Sequence, residues 1–371
     1  MRTLASTLLL AASAMPATGL AQDRSDPTIT LRNASGMTVR LIPQGAAVTA
    51  IEVPDRDGKT ANVVLGYATA ADYRTKMKNN FFGTTVGRYA GRIGNARFVL
   101  DGKPVQLEPN DGPNALHGGG KAGLEAFDWQ VSQPRGSRDR VTFTTISPDG
   151  FQGFPGQLTL SVTYRLAADN ALHIDYTART TRTTVLNLTN HSYFNLAGEA
   201  SGSVLGQTLQ LQADRYLPTD DRGIPTGALA PVAGTPLDFR QPHAIGERMA
   251  NPVPPLTPRG YNHAWLFNKP AGPLAPVARL ADPATGRTLT VETTEPSIQV
   301  YTGGYLNGTD IGPGGRPYAP GAGVALEVQH LPDSPNHASF PPTVLKPGQI
   351  YRQTTVWRFG VDRPKERTIR R

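Results

Sequence analysis

Two residues of this sequence have the types needed for a proton-transfer pair, and both lie on alternating apolar runs. His191 sits in "NHSYFNL" (190–196), at the end of "TTVLNLTN", where Leu186 and Leu188 alternate with Asn187 and Thr189. If the strand continues, a period of two points His191 away from the leucines. Glu327 sits in "GVALEVQHL" (323–331), where Val324, Leu326 and Val328 alternate with Ala325, Glu327 and Gln329. A carboxylate with only small or polar neighbours on its own face suits the floor of a cleft. A third run, "SIQVYTG", sets Gln299 and Tyr301 against Ile298 and Val300. An ordinary solvated face accounts for any one of these runs taken alone. A sheet with one face on the core and the other lining a polar groove accounts for all three.

Loop segments add partners. "GPNALHGGGKAG" places His117 before three glycines, and "TTVGRYAGRIGN" carries Arg88 and Arg92. Glycine beside such residues lets backbone and side chain approach a ligand together, although each of them alone also fits a turn. "RGYNHAWLF" sets Asn262 and His263 beside Trp265, and Tyr193 follows His191 by two residues. The chemistry that suits this inventory is general acid–base catalysis: a glutamate base and a histidine acid on opposite sides of a small polar substrate. Arginine and a second histidine can fix hydroxyls and stabilise developing negative charge. Aromatic rings supply a flat surface for the apolar face of a sugar. His117, His191 and Glu327 are also the types of a two-histidine, one-carboxylate metal site. No His-x-His or His-Glu-x-x-His spacing occurs, so no metal is expected.

Several chemistries are excluded. The chain has no cysteine, which removes thiol nucleophiles, disulfides and cysteine-bound metals. No serine-nucleophile elbow is present. The glycines of "GRYAGRIG" do not match a dinucleotide fingerprint, and no βαβ unit surrounds them.

The elements that must carry these residues are strands. "QLTLSVTYRL" (157–166) and "ALHIDYTA" (171–178) alternate strictly, with "AADN" between them as a hairpin turn. "RFVLDGKPVQL" (97–107) has Asp101-Gly102 between two short apolar runs, a strong hairpin signal. "GVALEVQHL" and "YRQTTVWRFG" add two late strands. Glycine (39) and proline (33) are abundant and long helical periodicity is missing, so the expected fold is all-β, with two large sheets packed face to face. The segments 249–260 and 308–323 read as surface loops, the second an ordered excursion; neither reads as a linker between two cores.

At the N-terminus, "MRTLASTLLLAASAMPATGLA" has an early arginine, an apolar stretch and small residues at Gly19 and Ala21. This is the form of a secretory signal peptide spanning 1–21, with Gln22 as the first mature residue. The expectation is a protein secreted to the periplasm or beyond. The rest, 22–362, is expected to form a single domain, followed by a basic tail, 363–371, with no membrane span. The formal charge of +8 is spread along the chain, and no nucleic-acid partner is expected from it.

Five motifs taken together resemble the aldose 1-epimerases, or galactose mutarotases: "TTVGRYAGRI" (84–93), "PNALHGG" (113–119), "NHSYFNL" (190–196), "GYNHAWLF" (260–267) and "ALEVQHLPDSPN" (325–336). Their order is that of the family and they span most of the chain. The resemblance implies a large galactose-mutarotase-like β-sandwich (a supersandwich) with a sugar cleft on one sheet. It implies interconversion of the α and β anomers of free aldohexoses such as glucose and galactose, with no cofactor and no metal. By motif position Glu327 resembles the general base, His191 the general acid, His117 the second active-site histidine and Arg92 the substrate-positioning arginine. Asn262, Gln299 and Tyr193 join them as expected sugar contacts. The asparagines and aromatics of "NHSYFNL" are expected to hold the imidazole beside the sugar. Two departures stand out. Gly91 replaces the family's usual asparagine in "GRYANRI". Asn262 stands where many members have a sugar-binding aspartate, which bears on substrate preference. Two alternatives remain at this level: a sugar-phosphate epimerase of the same superfamily, and a non-catalytic carbohydrate-binding protein. A monomer and a homodimer are both compatible with the sequence.

Overall fold

The computed structural model describes residues 28–77, 80–250 and 252–363. The signal-peptide segment, 1–21, and all of the basic tail except Arg363 lie outside the described residues. The chain folds as strands, with a single short α-helix, Ala70–Lys76, among the described residues. That helix is capped by Thr69, whose hydroxyl accepts the Asp72 N–H at 3.1 Å. No helix among the described residues is long and apolar enough to cross a membrane.

Two antiparallel sheets dominate. The larger has nine strands and is centred on Leu158–Leu166, Ala171–Thr180, Tyr351–Val361, Arg287–Thr293 and Ala275–Ala281. The expected hairpin of Leu158–Leu166 with Ala171–Thr180 forms, with Leu166 opposite Leu172 across the 167–170 turn. Alternation works as its physics requires: Leu158, Leu160, Val162, Tyr164 and Leu166 are buried, whereas the residues between them are exposed or half-buried. The Asp101-Gly102 hairpin also forms, and both residues take positive φ (48° and 74°), as a two-residue turn of this kind demands.

The second sheet has six strands, in the order Tyr193–Phe194, Val324–Gln329, Ser297–Tyr301, Asn262–Leu266, Arg215–Leu217 and Ala230–Pro231. Its apolar face packs on the nine-stranded sheet. Phe194 meets Trp357 edge-on at 4.9 Å between ring centres, and Gln353 donates to the Val328 carbonyl at 3.3 Å. One hydrophobic cluster runs through both sheets and through the four-stranded sheet that begins at Ile29. The expected sandwich is therefore present. The 308–323 excursion is ordered, anchored by buried Tyr318, whose hydroxyl bonds Gly66 and Glu199.

One expectation needs correction. The run into His191 is not one strand. It is broken into Thr184–Val185, Thr189–Asn190 and Tyr193–Phe194, which pair with three different partners: Val344–Leu345, Thr85–Val86 and Val324–Ala325. The cause is the side-chain amides. Asn187 donates to the carbonyls of Ala90 and His330, and Asn190 donates to that of Gly83, so these residues tie the segment to crossing loops and interrupt a continuous ladder. Leu186 and Leu188 still face the core.

Candidate active site

The outer face of the six-stranded sheet is laid out in rungs. Residues directly opposite one another on antiparallel strands share a face, so register decides what meets. One rung runs Glu327, Gln299, Ala264, Leu217; the next runs Tyr193, Ala325, Tyr301, Asn262. Ala325 and Ala264 are the small members, and their size leaves room above the sheet. A cavity of about 830 Å³ lies there, within the usual range for a small-molecule site. Arg92, His117, His191, Tyr193, Asn262, Gln299 and Glu327 all line it. The seven residues singled out from sequence thus converge from segments more than 200 residues apart.

At the centre, His191 Nε2 lies 3.6 Å from Glu327 Oε1, and both side chains are almost fully buried (4% and 3% exposed). His191 Nδ1 and Glu327 Oε2 have no hydrogen-bond partner among the described residues. Burial penalises the charged form of each. It pushes the Glu327 carboxyl up to about 8, against a weaker opposing pull from the Arg92 charge. It presses the His191 imidazole down to about 4. Buried cleft residues shifted in this way are candidates for proton transfer.

His191 is held through its backbone and its ring faces. Its N–H donates to Thr84 and its carbonyl accepts from Gly83. Asn190 accepts both the N–H and the hydroxyl of Ser192, which sets the turn. The ring packs against Tyr193 (4.9 Å between centres), His117 (5.3 Å) and Phe81 (5.6 Å). The asparagines of "NHSYFNL" therefore position the backbone; of its aromatics Tyr193 touches the imidazole, while Phe194 packs into the core against Trp357. Tyr193, buried beside Glu327 and Tyr301, has its phenol pushed well above its usual value and stays protonated.

His117 is fixed in one tautomer. Its Nδ1 accepts the Gly91 N–H at 3.2 Å while the His117 backbone N–H donates to the Gly91 carbonyl. The ring proton is thereby on Nε2. Burial, reinforced by His191 and Arg92, holds His117 well below its ordinary range, so it is a neutral donor. The departure at Gly91 is explained by backbone shape: φ is +82°, where glycine and asparagine are the residues best tolerated.

The two arginines separate. Arg88 is fully buried and donates to Ser147, Phe154 and Gly156; it braces loops and does not reach the cleft. Arg92 lines the cleft and pairs with Asp111 at 2.7 Å. Asn262 Oδ1 accepts from Gln299 Nε2 at 2.7 Å, and its Nδ2 has no protein partner among the described residues. His263 accepts the Asn262 N–H and bonds the Pro255 carbonyl, so it braces the turn. In the loop after Glu327, Asp333 is the anchor: its carboxylate accepts from Gly94, Asn336 and His337.

Sequence reasoning missed Phe81, Asp111 and Asp310. Phe81 closes over both histidines from a positive-φ loop position, where alternation carries no signal. Asp310, on the 308–323 excursion, accepts from Tyr67 and Asn80 at the cavity's other wall. The "NDGPN" turn around Asp111 gave a local cue to a loop, but nothing in it points at Arg92.

The potential ligand atoms of His117, His191 and Glu327 lie within 4.8 Å of one another, so the lack of local metal spacing did not keep these residues apart. The same atoms are the ones expected from sequence to serve proton transfer and hydroxyl binding. Exhaustive chelation is expected to leave the reaction rate unchanged, and added zinc should inhibit by occupying the trio. Loss of activity restored by one specific metal would reverse this assignment.

The family model for aldose 1-epimerase matches residues 27–358. Galactose mutarotase from Sus scrofa is 41% identical over 325 residues, covering 88% of this chain and 92% of the relative. Aldose 1-epimerase from Escherichia coli K12 is 40% identical over 334 residues, covering 89% and 94%. Among solved structures, the aldose epimerase homologue from C. elegans superposes with a TM-score of 0.82 at 30% identity, covering 91% of this chain and all of that one. Galactose 1-epimerase from Lactobacillus acidophilus NCFM gives 0.78 at 30% identity, covering 90% and 94%.

Proposed function

The chain belongs to the aldose 1-epimerase family, and from that premise we propose how its buried histidine and glutamate interconvert the anomers of a free aldose. The enzyme interconverts α and β aldoses by ring opening and reclosure. In the cycle we infer, Glu327 as carboxylate takes the proton of the C1 hydroxyl while His191 as imidazolium protonates the ring oxygen. The C1–O5 bond breaks, an aldehyde forms at C1, and rotation about C1–C2 presents its other face. Reclosure runs the transfers backward: Glu327 returns a proton to the carbonyl oxygen as His191 takes one from the C5 hydroxyl. Protons balance, and no electrons leave the sugar.

The observation that carries this reading is the 3.6 Å His191–Glu327 juxtaposition in a buried site, each residue retaining an unbonded polar atom. Burial disfavours both a carboxylate and an imidazolium, so the Glu327 carboxylate with His191 imidazolium is the minor tautomer of the one-proton pair, and ring opening returns the pair to its neutral resting form. His117 Nε2–H and Arg92 are suited to hold hydroxyls and to support charge developing on oxygen. Polarimetry with α-glucose and α-galactose tests the reading. Relaxation no faster than in buffer, with sugar still bound, would instead identify a binding protein.

Two features favour a neutral sugar over a sugar phosphate. Arg88 is enclosed by carbonyls, and the charge of Arg92 is already matched by Asp111. For choice among hexoses we assign a tuning role to Asn262. Its Oδ1 is engaged by Gln299, which leaves an N–H donor for sugar where aspartate would offer an acceptor and a charge. Asn262→Asp is expected to change the ratio of glucose to galactose kcat/KM by about five- to tenfold, the scale of one exchanged hydrogen bond. An unchanged ratio with altered stability alone would restrict Asn262 to bracing the turn.

Residues 22–362 are read as one domain. The leader-like segment 1–21 supports export to the periplasm. N-terminal sequencing of the exported protein is expected to begin near Gln22; recovery of Met1 on it would overturn the export reading.

A further inference from the structure

We propose that Asp310 and Asn80 form a subsite for the C6 hydroxyl of a hexose, so that this enzyme prefers aldohexoses to the pentoses and 6-deoxy sugars that lack that hydroxyl. This rests on the aldose 1-epimerase reading. In a pyranose, C1 stands between C2 and the ring oxygen, and C5 lies beyond the ring oxygen and carries C6. Glu327 at the C1 hydroxyl and His191 at the ring oxygen therefore set the direction of the sugar. From the Glu327 strand the six-stranded sheet steps to Gln299 and Asn262 on one side and to Tyr193–Phe194 on the other. C2 faces Gln299 and Asn262. C5 and C6 face the wall beyond His191, which is built from Asn80, Phe81, Thr309 and Asp310. Phe81 ties this wall to the acid: its ring lies 5.6 Å from that of His191, and Asn80 directly precedes it. Behind the wall Tyr67 packs on Phe82 and Phe82 on Tyr193, each at 5.3 Å between ring centres.

The Asp310 carboxylate is fixed before any sugar arrives. Its Oδ1 accepts the Tyr67 hydroxyl at 2.7 Å, and its Oδ2 accepts the Asn80 amide. Its backbone carbonyl accepts the N–H of buried Tyr318 at 2.8 Å. The residue is half-buried and still borders the cavity. An ionised carboxylate has about four acceptor positions, so two bonds leave room for a sugar hydroxyl. A hydroxyl donates more strongly to a carboxylate than to a neutral acceptor. Lys76 lines the same wall, but its Nζ pairs with Asp72 at 2.7 Å rather than with Asp310. At this wall a hexose presents a hydroxymethyl group, a 6-deoxy sugar a methyl group and a pentose a hydrogen. Only the first donates to the carboxylate; a methyl group displaces water from it without replacing the lost hydrogen bond.

Polarimetry on D-glucose, 6-deoxy-D-glucose and D-xylose tests the subsite, in the parent enzyme and in Asp310→Ala and Asp310→Asn. Parent kcat/KM for glucose should exceed that for 6-deoxyglucose by about tenfold, the scale of one hydrogen bond to a charged group, with xylose no better than 6-deoxyglucose. The glucose-to-6-deoxyglucose ratio should fall to about twofold or less in Asp310→Ala, where that hydrogen bond is gone. Asp310→Asn should give an intermediate ratio, since its amide oxygen still accepts. Equal efficiency of the parent on glucose and 6-deoxyglucose would overturn the subsite, and that measurement needs no variant to fold. Equal losses on all three sugars in Asp310→Asn, together with a lowered Tm, would make Asp310 an anchor of its loop and would overturn the subsite as well. A parent enzyme that speeds anomerisation of none of the three would instead bring down the aldose 1-epimerase reading.

Discussion

Glu327→Gln is expected to lose at least about 100-fold in turnover while still binding sugar, since a positioned general base contributes about 100- to 10,000-fold. The substitution keeps size and most hydrogen-bonding capacity but removes the proton acceptor. A structural role for Glu327, anchoring the loop that follows it, would predict misfolding instead. The contacts argue otherwise: Asp333 holds that loop, and Glu327 Oε2 is unbonded. Stability provides the independent readout. The Glu327 carboxyl rises from an ordinary 4.5 to about 8 in the folded protein. Between those values the folded state binds the proton and the unfolded state does not, so this group's contribution falls as pH rises. Glu327→Gln removes that slope. It should be more stable than the parent at pH 8–9, by on the order of a few kcal/mol. Urea denaturation at several pH values, run beside polarimetry, checks both halves. A well-folded variant with near-normal turnover would remove Glu327 from the mechanism, and a variant destabilised at alkaline pH would assign it a structural role.

The second large effect concerns His191 and the shape of the pH profile. With His191 pressed down to about 4 and Glu327 pushed up to about 8, the pair carries one proton between those limits. Below the window both groups are protonated and no base remains. Above it both are deprotonated and no acid remains. Parent kcat/KM should therefore be level near pH 5–7 and fall on both sides, the two limits belonging to the pair as a unit. His191→Asn is expected to lose at least about 100-fold. Its residual activity should depend on Glu327 alone and rise as pH passes about 8, the opposite of the parent. This reversal separates loss of the acid from a general loss of fold. A variant that keeps the parent's alkaline decline would mean that the decline belongs to some other group. Removing Arg92 acts differently. Its charge favours the Glu327 carboxylate, so Arg92→Ala should move the alkaline limb upward, with higher KM and lower kcat together.

The sequence by itself determined the all-β class, the two hairpins at 100–103 and 166–172, and the apolar faces of Leu158–Leu166 and Val324–Gln329. Alternation and turn chemistry are local, and period two leaves no choice about which side chains share a face. It also marked the polar residues that line the cleft, because a glutamate or glutamine on an otherwise apolar strand is visible one strand at a time. Only the tertiary structure decided which rungs they occupy. The pairing Gln299 with Glu327 and Asn262 with Tyr301 depends on register between strands far apart in the chain, which no local pattern encodes. It also separated Arg88 from Arg92, four residues apart on one motif, sending the first into a cage of carbonyls and the second into the cleft. The broken run at 184–194 and the closure of Phe81 over both histidines arise likewise from long-range hydrogen bonds and loop backbone at positive φ. The shifted titration of His191 and Glu327 is tertiary in origin as well. Their residue types permit proton transfer, but the shifts toward 4 and 8 come from exclusion of water by the folded protein around them.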